Sequence, residues 1–285
     1  KHGVIIKSGE ALEKMGKVDT IAFDKTGTLT YGRLDVSDVI SFDATIREAD
    51  LLSLAASAEA KSEHPLGKAI VAYAKAKEVP LVESTAFRMT TGKGIFAEVD
   101  NRSLLCGNEK FLTENGVSIN NQVQSALERL RTQGKASILV AEGQKCIGVI
   151  ALSDVLRSEA KDMVSRLSDM HTRTVLLTGD HQKTADYFAR QVGISEVRAE
   201  LLPEEKVRSI EKLQAENHKV CMIGDGVNDA PALKTADVSV AMGSMGSDIA
   251  VDAAEVALMS DDISKIPYLK RLSNATVKTI KASIT

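Results

Sequence analysis

The chain has little of what several protein classes require. It has no Trp, and aromatic residues make up 4% of its 285 residues, so its cores must be built from aliphatic side chains. Its three Cys are far apart and form no Cys-x-x-Cys pair, which favours reduced, buried thiols in a cytosolic setting. No run approaches the roughly 18 consecutive apolar residues of a membrane span. The net charge of -3 at pH 7 argues against nucleic acid as the main partner, because proteins that bind the phosphate backbone are usually basic.

The composition that remains is typical of a folded globular protein. Hydrophobic residues make up 44% and charged residues 26% of the chain, and the length is sufficient for two domains. The chain does not begin with Met and stops inside a helical pattern. We therefore expect it to be a piece of a longer protein.

Short apolar runs followed by polar turns predict the strands of a sheet. These runs are residues 18–23, 174–177, 220–223 and 237–241. Helical patterns lie between the later runs, at residues 158–170, 183–191 and 204–215. Alternation of strands and helices indicates a mostly parallel, doubly wound α/β sheet, whose ligands bind beyond the carboxyl ends of the strands. The polar residues that fall at such ends are Asp24, Thr178, Asp180, Asp225 and Asp229.

The long interval after the first strand predicts a second domain. Its helical patterns (45–58, 65–77 and 122–131) and its strand patterns (95–99, 103–106, 137–140 and 146–151) indicate an α+β domain inserted into the first. We predict that residues 1–32 and 148–285 form the discontinuous doubly wound domain, and that residues 33–147 form the inserted one.

The strand-end residues suit phosphoryl transfer. A carboxylate attacks phosphorus only when its own charge and that of the phosphate are neutralised. Asp24 precedes a Gly-containing turn whose amides could hold a phosphate. Asp225 and Asp229 offer the hard oxygen ligands that Mg²⁺ prefers. Lys206, near a helix start, supplies a compact positive charge, and Thr178 supplies a hydroxyl.

Three segments in this order carry a resemblance to a known family. They are Asp-Lys-Thr-Gly-Thr-Leu-Thr at 24–30, Thr-Gly-Asp at 178–180 and Gly-Asp-Gly-Val-Asn-Asp at 224–229. This set resembles the signature of P-type cation-transporting ATPases, which have a haloacid-dehalogenase-like fold, and the resemblance covers essentially the whole chain. It implies that Asp24 forms an aspartyl-phosphate and that the inserted domain binds nucleotide. The further roles that it implies are Mg²⁺ binding by Asp225, Asp24 and the carbonyl of Thr26, phosphate contacts by Thr178, Lys206 and Asn228, and support of the metal loop by Asp229.

Thr26 separates two mechanisms within this fold group. Related phosphatases usually carry a second Asp two residues after the nucleophile, which serves as a general acid and base. Threonine cannot do this at neutral pH. The substitution implies a long-lived phosphoenzyme and favours a pump over a phosphatase.

The inserted domain contains three segments similar to the nucleotide-binding domain of the heavy-metal branch of these pumps. They are Ser-Glu-His-Pro-Leu at 62–66, Thr-Gly-Lys-Gly-Ile at 91–95 and Cys-Gly-Asn at 106–108. The His64 ring could stack on adenine, and the Glu59 carboxylate could accept from its exocyclic amine. Glycines allow the backbone to approach phosphates closely. The predicted ATP contacts are Glu59, His64, Gly92, Gly94, Gly107 and Asn108; a helix cap at His64 and structural roles for Glu59 and the glycines remain open.

The resemblance also implies cofactors, partners and a location. ATP and Mg²⁺ are the expected cofactors, and the transmembrane and actuator domains of the same protein are the expected partners. The chain would be the cytoplasmic portion of an integral membrane protein that binds its heavy-metal cargo elsewhere. Segment 259–273 is more similar to zinc, cadmium and lead pumps than to copper pumps. Residues 263–285 carry five Lys or Arg and no acid, which fits either a solvated helix face or a juxtamembrane segment.

Two other functions stay open at this point. A free-standing phosphatase of the same fold group would turn over small phosphate esters rapidly. A regulatory ATP- or metal-sensing module would bind ATP without forming an acyl phosphate.

Overall fold

The computed structural model describes residues 3–224, 229–243, 254–260 and 262–284, with the backbone alone for 276–284. The strands of this part are β1 (Val4–Ile6), β2 (Thr20–Asp24), β3 (Thr30–Ser41), β4 (Ala86–Thr90), β5 (Gly94–Val99), β6 (Arg102–Gly107), β7 (Ala136–Glu142), β8 (Lys145–Leu156), β9 (Arg173–Leu177), β10 (Glu196–Arg198), β11 (Val220–Gly224), β12 (Val238–Met242) and β13 (Val256–Leu258). Its helices are α1 (Gly9–Lys17), α2 (Glu48–Glu59), α3 (Pro65–Ala76), α4 (Glu109–Glu114), α5 (Asn121–Thr132), α6 (Ala160–Asp169), α7 (Gln182–Val192), α8 (Pro203–Ala215), α9 (Ala230–Thr235) and α10 (Lys265–Ile284).

The first sheet has the strand order β1-β13-β12-β11-β2-β9-β10. Every pair in it is parallel except the edge pair of β1 with β13. All five residues are buried in each of β2, β11 and β12, as expected for parallel strands covered on both faces. The predicted doubly wound α/β fold is confirmed.

The second sheet has the order β3-β8-β7-β6-β5-β4, and its pairs from β4 to β8 are antiparallel. Residues of α2 and α3 share one buried apolar cluster with this sheet, and residues of α4 and α5 share another. This is the α+β arrangement that the sequence predicts for the inserted part.

The chain divides into two compact units, residues 1–33 with 155–285 and residues 34–154. The predicted boundary between residues 147 and 148 falls inside β8, and the second unit ends at Asp154 instead. The reason is that β8 remains paired with β7 as far as Leu152, so the strand cannot be divided at its third residue. The functions assigned to the two units remain predictions.

The basic segment after residue 263 is not a uniformly solvated face. Lys270 in α10 is 5% exposed. Its ammonium donates to the carbonyls of Met15 and Gly16, both at 3.2 Å, and so satisfies acceptors at the end of α1. None of the helices in the described ranges combines the length and the hydrophobicity that a bilayer-spanning helix requires.

Candidate phosphorylation and nucleotide sites

Asp24 is the last residue of β2, which lies in the interior of the first sheet between β11 and β9. The residue is 7% exposed. Since neighbouring parallel strands end at the same edge, Thr178 directly after β9 lies on this edge too. The predicted Asp225 and Asn228, which follow β11, lie outside the described residues.

The turn Lys25–Leu29 after Asp24 is held by its own residues. Gly27 has φ 78°, in the left-handed region that only glycine adopts at no cost. The Gly27 amide donates to the hydroxyl oxygen of Thr30 (3.0 Å), and this hydroxyl donates to the Lys25 carbonyl (3.3 Å). Thr26 has extended backbone angles inside the turn. The conformation of this turn therefore depends on Gly27 and Thr30 as well as on the residues with predicted chemical roles.

Arg157, which sequence reasoning did not assign, clamps the same turn from outside. It is 5% exposed, and its guanidinium donates to the carbonyls of Thr28 (2.8 Å) and Gly27 (3.1 Å). Its own amide donates to the Leu29 carbonyl (2.9 Å), and the Tyr31 ring covers the guanidinium at 5.3 Å. Three successive carbonyls, from Gly27 to Leu29, thus accept hydrogen bonds from one residue. No motif in the sequence identifies this contact.

Lys206 connects Asp24 to Asp229. Its ammonium lies 3.0 Å from Oδ1 of Asp24 and 3.2 Å from Oδ1 of Asp229. Lys206 lies in the first turns of α8, where Pro203 is the first residue and Glu205 accepts from the Leu202 amide at 3.1 Å. Lys206 therefore lies against Asp24, the predicted nucleophile, and its contact with a phosphate stays a prediction.

The charges of this cluster are coupled. Burial by itself lowers the pKa of Lys206, but the carboxylates of Asp24 and Asp229 outweigh it and hold that pKa above its ordinary value. Burial, followed by the charge of Asp24, raises the pKa of Asp229 well above its usual range. Asp229 is 2% exposed, and a Cβ added at Gly224 would lie 3.1 Å from its Oδ2. The glycine thus leaves room for the carboxyl group.

Thr178 orders the loop that it begins. It is buried, and its hydroxyl oxygen accepts from the Asp180 amide at 3.1 Å. The Asp180 carboxylate in turn pairs with the ammonium of Lys25, 2.5 Å away. Lys25 is 2% exposed and lies 4.4 Å from the centroid of the Phe188 ring. Lys25 therefore joins the two strand-end loops, a role that its position next to Asp24 did not predict.

Glu59 and His64, in the second unit, are connected through Ser62. Glu59, the last residue of α2, is 4% exposed. Burial raises its pKa to about 7, against the opposing effect of a hydrogen bond from the Ser62 hydroxyl. The same hydroxyl oxygen accepts from the His64 amide at 3.2 Å. The two residues predicted to bind adenine are therefore parts of one local structure.

His64 also caps helix α3, the structural role that the sequence left open. Its Nδ1 accepts from the Leu66 amide at 3.1 Å, so in the neutral ring the proton is on Nε2. The residue is exposed. Capping by Nδ1 fixes the ring at an exposed position, so the capping role does not exclude the predicted contact with adenine.

The predicted glycines and Asn108 are packed together at one end of β5 and β6. Gly94 and Gly107 pair across these strands, and a Cβ on either would lie 2.8 Å from the Cα of the other. Asn108 accepts from the Phe111 amide (2.8 Å) as the cap of α4, and its amide group donates to the Gly92 carbonyl (3.2 Å). Close packing already accounts for Gly94 and Gly107, so their contact with ATP remains a prediction.

The comparisons with known proteins agree with the fold described above. The haloacid dehalogenase-like hydrolase family matches residues 18–237. A copper-exporting P-type ATPase of Staphylococcus aureus (strain bovine RF122 / ET3-1) is 42% identical over 284 residues, which cover 100% of this chain and 34% of that protein. The chain spans about a third of the length of the curated relatives that it matches.

Solved structures give the same result. The catalytic domain of the CPx-ATPase CopB-B, from work on its conformational changes upon nucleotide binding, superimposes with a TM-score of 0.75 at 36% identity, over 95% of each chain. A zinc-transporting PIB-type ATPase in its E2.Pi state superimposes with a TM-score of 0.65 at 36% identity, over 99% of this chain and 45% of that one.

The fold is a mostly parallel, doubly wound sheet in which Asp24 ends an interior strand and Lys206 lies against it. The chain belongs to the haloacid dehalogenase-like hydrolases and, within them, to the heavy-metal P-type ATPases.

Proposed function

We propose that this chain is the ATP-binding and phosphorylation unit of a heavy-metal-transporting P-type ATPase. In it, Asp24 accepts the γ-phosphoryl group of ATP. The observation that carries the proposal is the buried contact of Lys206 with both Asp24 and Asp229, at the end of a strand followed by Asp-Lys-Thr-Gly-Thr-Leu-Thr. The ATPase activity and the metal transport belong to the longer protein of which this chain would be a part.

In the proposed step an Asp24 carboxylate oxygen forms a bond to the γ-phosphorus. The bond from that phosphorus to the bridging oxygen breaks, and ADP leaves with the electron pair. Lys206 holds the attacking carboxylate and offsets the negative charge of the incoming phosphate, which is where electrostatic stabilisation is most effective. We assign phosphate contacts to Thr178 and Asn228 as well. Since Thr26 cannot act as a general base, the acyl phosphate would persist.

The residues present fit a magnesium ion. Asp24 and Asp229 are buried side chains with hard oxygen donors. They share the single ammonium of Lys206, so a further cation would offset the negative charge that remains when both are ionised. Among the residues that the structure describes, no group of three His, Cys, Asp or Glu could hold a metal ion; the further predicted ligand, Asp225, lies outside them. We assign the ion to Asp24, Asp225 and the carbonyl of Thr26, with Asp229 close by. When bound, it would neutralise the transferring phosphate.

We propose that Glu59 and His64 recognise the adenine of ATP, with Gly92, Gly94, Gly107 and Asn108 near the rest of the nucleotide. Three features support this assignment. The Ser62 hydroxyl connects Glu59 and His64, His64 is exposed at a helix start, and the CopB-B catalytic domain was studied upon nucleotide binding.

The cargo ion and the location follow from the relatives by analogy. We propose a heavy-metal cation as cargo, carried by transmembrane helices outside this chain, and a cytoplasmic location for this unit beside a membrane and an actuator domain. The sequence favours zinc, cadmium or lead, whereas the relative at 42% identity is a copper exporter and that at 36% a zinc transporter. Metal-stimulated ATPase assays on the full-length protein, comparing Zn²⁺, Cd²⁺, Pb²⁺ and Cu⁺, discriminate between these ions.

The test is phosphorylation by γ-labelled ATP with Mg²⁺, followed by an acid quench and treatment with hydroxylamine. The expected result is hydroxylamine-labile label that is lost in Asp24→Asn and retained in Asp35→Asn, an exposed control. Neither label nor ATP binding, together with rapid hydrolysis of small phosphate esters, would refute the proposal in favour of a phosphatase. ATP binding with no acyl phosphate, even in the full-length protein, would favour a sensing module.

A further inference from the structure

Gly67, in the first turn of α3, lies directly against the Glu59 carboxyl group. A Cβ added at Gly67 would lie 2.4 Å from Oε2 of Glu59 and 3.0 Å from Oγ of Ser62. The first distance is far below any that real Cβ atoms show, so an alanine here would displace the carboxyl group. Gly67 itself is buried.

Backbone conformation does not explain this glycine. Gly67 lies within the helix Pro65–Ala76 and is not among the residues of positive φ. Glycine is a poor residue for a helix interior and alanine the best, so local propensity favours replacement. The space taken by Glu59 and Ser62 is the reason for glycine at this position.

Ser62 connects the Glu59 carboxyl group, which occupies the space over Gly67, to His64. Its hydroxyl hydrogen-bonds the Glu59 carboxyl group and accepts from the His64 amide at 3.2 Å, and its own amide donates to the Glu59 carbonyl at 2.9 Å. Glu59 and Ser62 are 4% and 6% exposed, so their positions are determined by protein contacts. Displacement of Glu59 from Gly67 would break its link to the turn that carries His64.

We propose that Gly67 is a positioning residue for nucleotide recognition. Because Gly67 has no side chain, the Glu59 carboxyl group can pack against the start of α3. There it is hydrogen-bonded to Ser62, which also holds the His64 amide. This inference rests on the proposed function, in which Glu59 and His64 bind adenine. It assigns adenine selectivity to a residue that does not itself contact the nucleotide.

The first test measures ATP affinity by isothermal titration calorimetry. Gly67→Ala should weaken ATP binding about tenfold, which corresponds to about one hydrogen bond. It should leave GTP binding unchanged, because guanine has a carbonyl oxygen at C6 in place of the amine from which Glu59 would accept. In a Glu59→Ala background, Gly67→Ala should cause no further loss. The matched control is Gly9→Ala, at an exposed helix start where an added Cβ has nothing within 4 Å; it should bind ATP as the unsubstituted chain does.

The second test is independent of ATP. Urea unfolding should show that Gly67→Ala lowers the midpoint in the unsubstituted chain and does so much less in the Glu59→Ala background, because the displaced group is then absent. Equal shifts in both backgrounds, or unchanged ATP affinity in Gly67→Ala, would overturn the inference. If the unsubstituted chain fails to bind ATP, the proposed function fails, and the urea comparison still decides whether Gly67 positions Glu59.

Discussion

The Asp24 cluster and the Glu59 cluster each bury a carboxyl group over a glycine, but they balance its charge differently. In the first, Asp229 lies over Gly224, and the ammonium of Lys206 contacts both Asp229 and Asp24. In the second, Glu59 lies over Gly67 beside the Ser62 hydroxyl. The difference suits the two proposed tasks, since a nucleophilic carboxylate has to be ionised whereas a group that recognises a base by hydrogen bonding does not.

The largest expected effect comes from removing the cation of the first cluster. Lys206→Ala should slow phosphorylation of Asp24 about a thousandfold, because one fixed charge aimed at the transferring group contributes on that scale. Rapid-quench phosphorylation measures the rate. The control is Lys212→Ala, an exposed lysine of the same helix, which should react at the unsubstituted rate. A Lys206→Ala rate within tenfold of normal would show that Lys206 is not the main cation at Asp24.

The next prediction concerns Arg157, which stabilises the turn after Asp24 without contributing the charge that Lys206 provides. Arg157→Ala should lower the free energy of unfolding by about 3 kcal/mol, because two buried carbonyls lose a charged donor. The free energy of unfolding of Arg157→Lys should lie between those of Arg157→Ala and the unsubstituted chain, since lysine keeps the charge but lacks the forked geometry of the guanidinium. Chemical denaturation measures both.

Arg166→Ala provides the control for the Arg157 series. Arg166 is an exposed arginine paired with Asp162 at 2.9 Å, and its loss should cost less than about 1 kcal/mol. If Arg157→Ala and Arg166→Ala lowered the free energy of unfolding equally, Arg157 would not stabilise the turn after Asp24 in the way proposed.

The last of these effects concerns the second cluster and is measured as a dependence of stability on pH. The folded pKa of Glu59, about 7, is above its ordinary value of 4.5. Neutral Glu59 therefore favours the fold below about pH 4.5, and this contribution is lost as the pH rises to about 7. Glu59→Gln cannot lose a proton, so its free energy of unfolding relative to the unsubstituted chain should rise by about 3 kcal/mol over this range and stay constant above it.

Denaturation at a series of pH values measures this difference. Glu83→Gln, at an exposed position, should show none. A flat Glu59→Gln difference would mean that Glu59 has a charge partner after all, and the contrast between the two clusters would disappear.

Much of the fold was predictable because strand ends and helix starts carry local signals. The strand predicted at 174–177 is Arg173–Leu177, and the helix predicted at 204–215 is Pro203–Ala215. Asp24 ends one buried strand and Thr178 follows another, and parallel pairing brings such ends to the same edge of the sheet. The boundary of the second unit was less predictable, because β8 is one continuous strand through the predicted boundary.

By itself, the sequence determined the fold class and the family and predicted Asp24 as the acceptor, since these depend on periodicity and on short motifs whose residues are close in the chain. Only the tertiary structure decided that Arg157 clamps the turn after Asp24, that Lys25 pairs with Asp180 and that Gly67 makes room for Glu59. The physical reason is that each of these contacts joins residues from different elements, through buried carbonyls, charges or shared space. No spacing along the chain records which residues come together in this way.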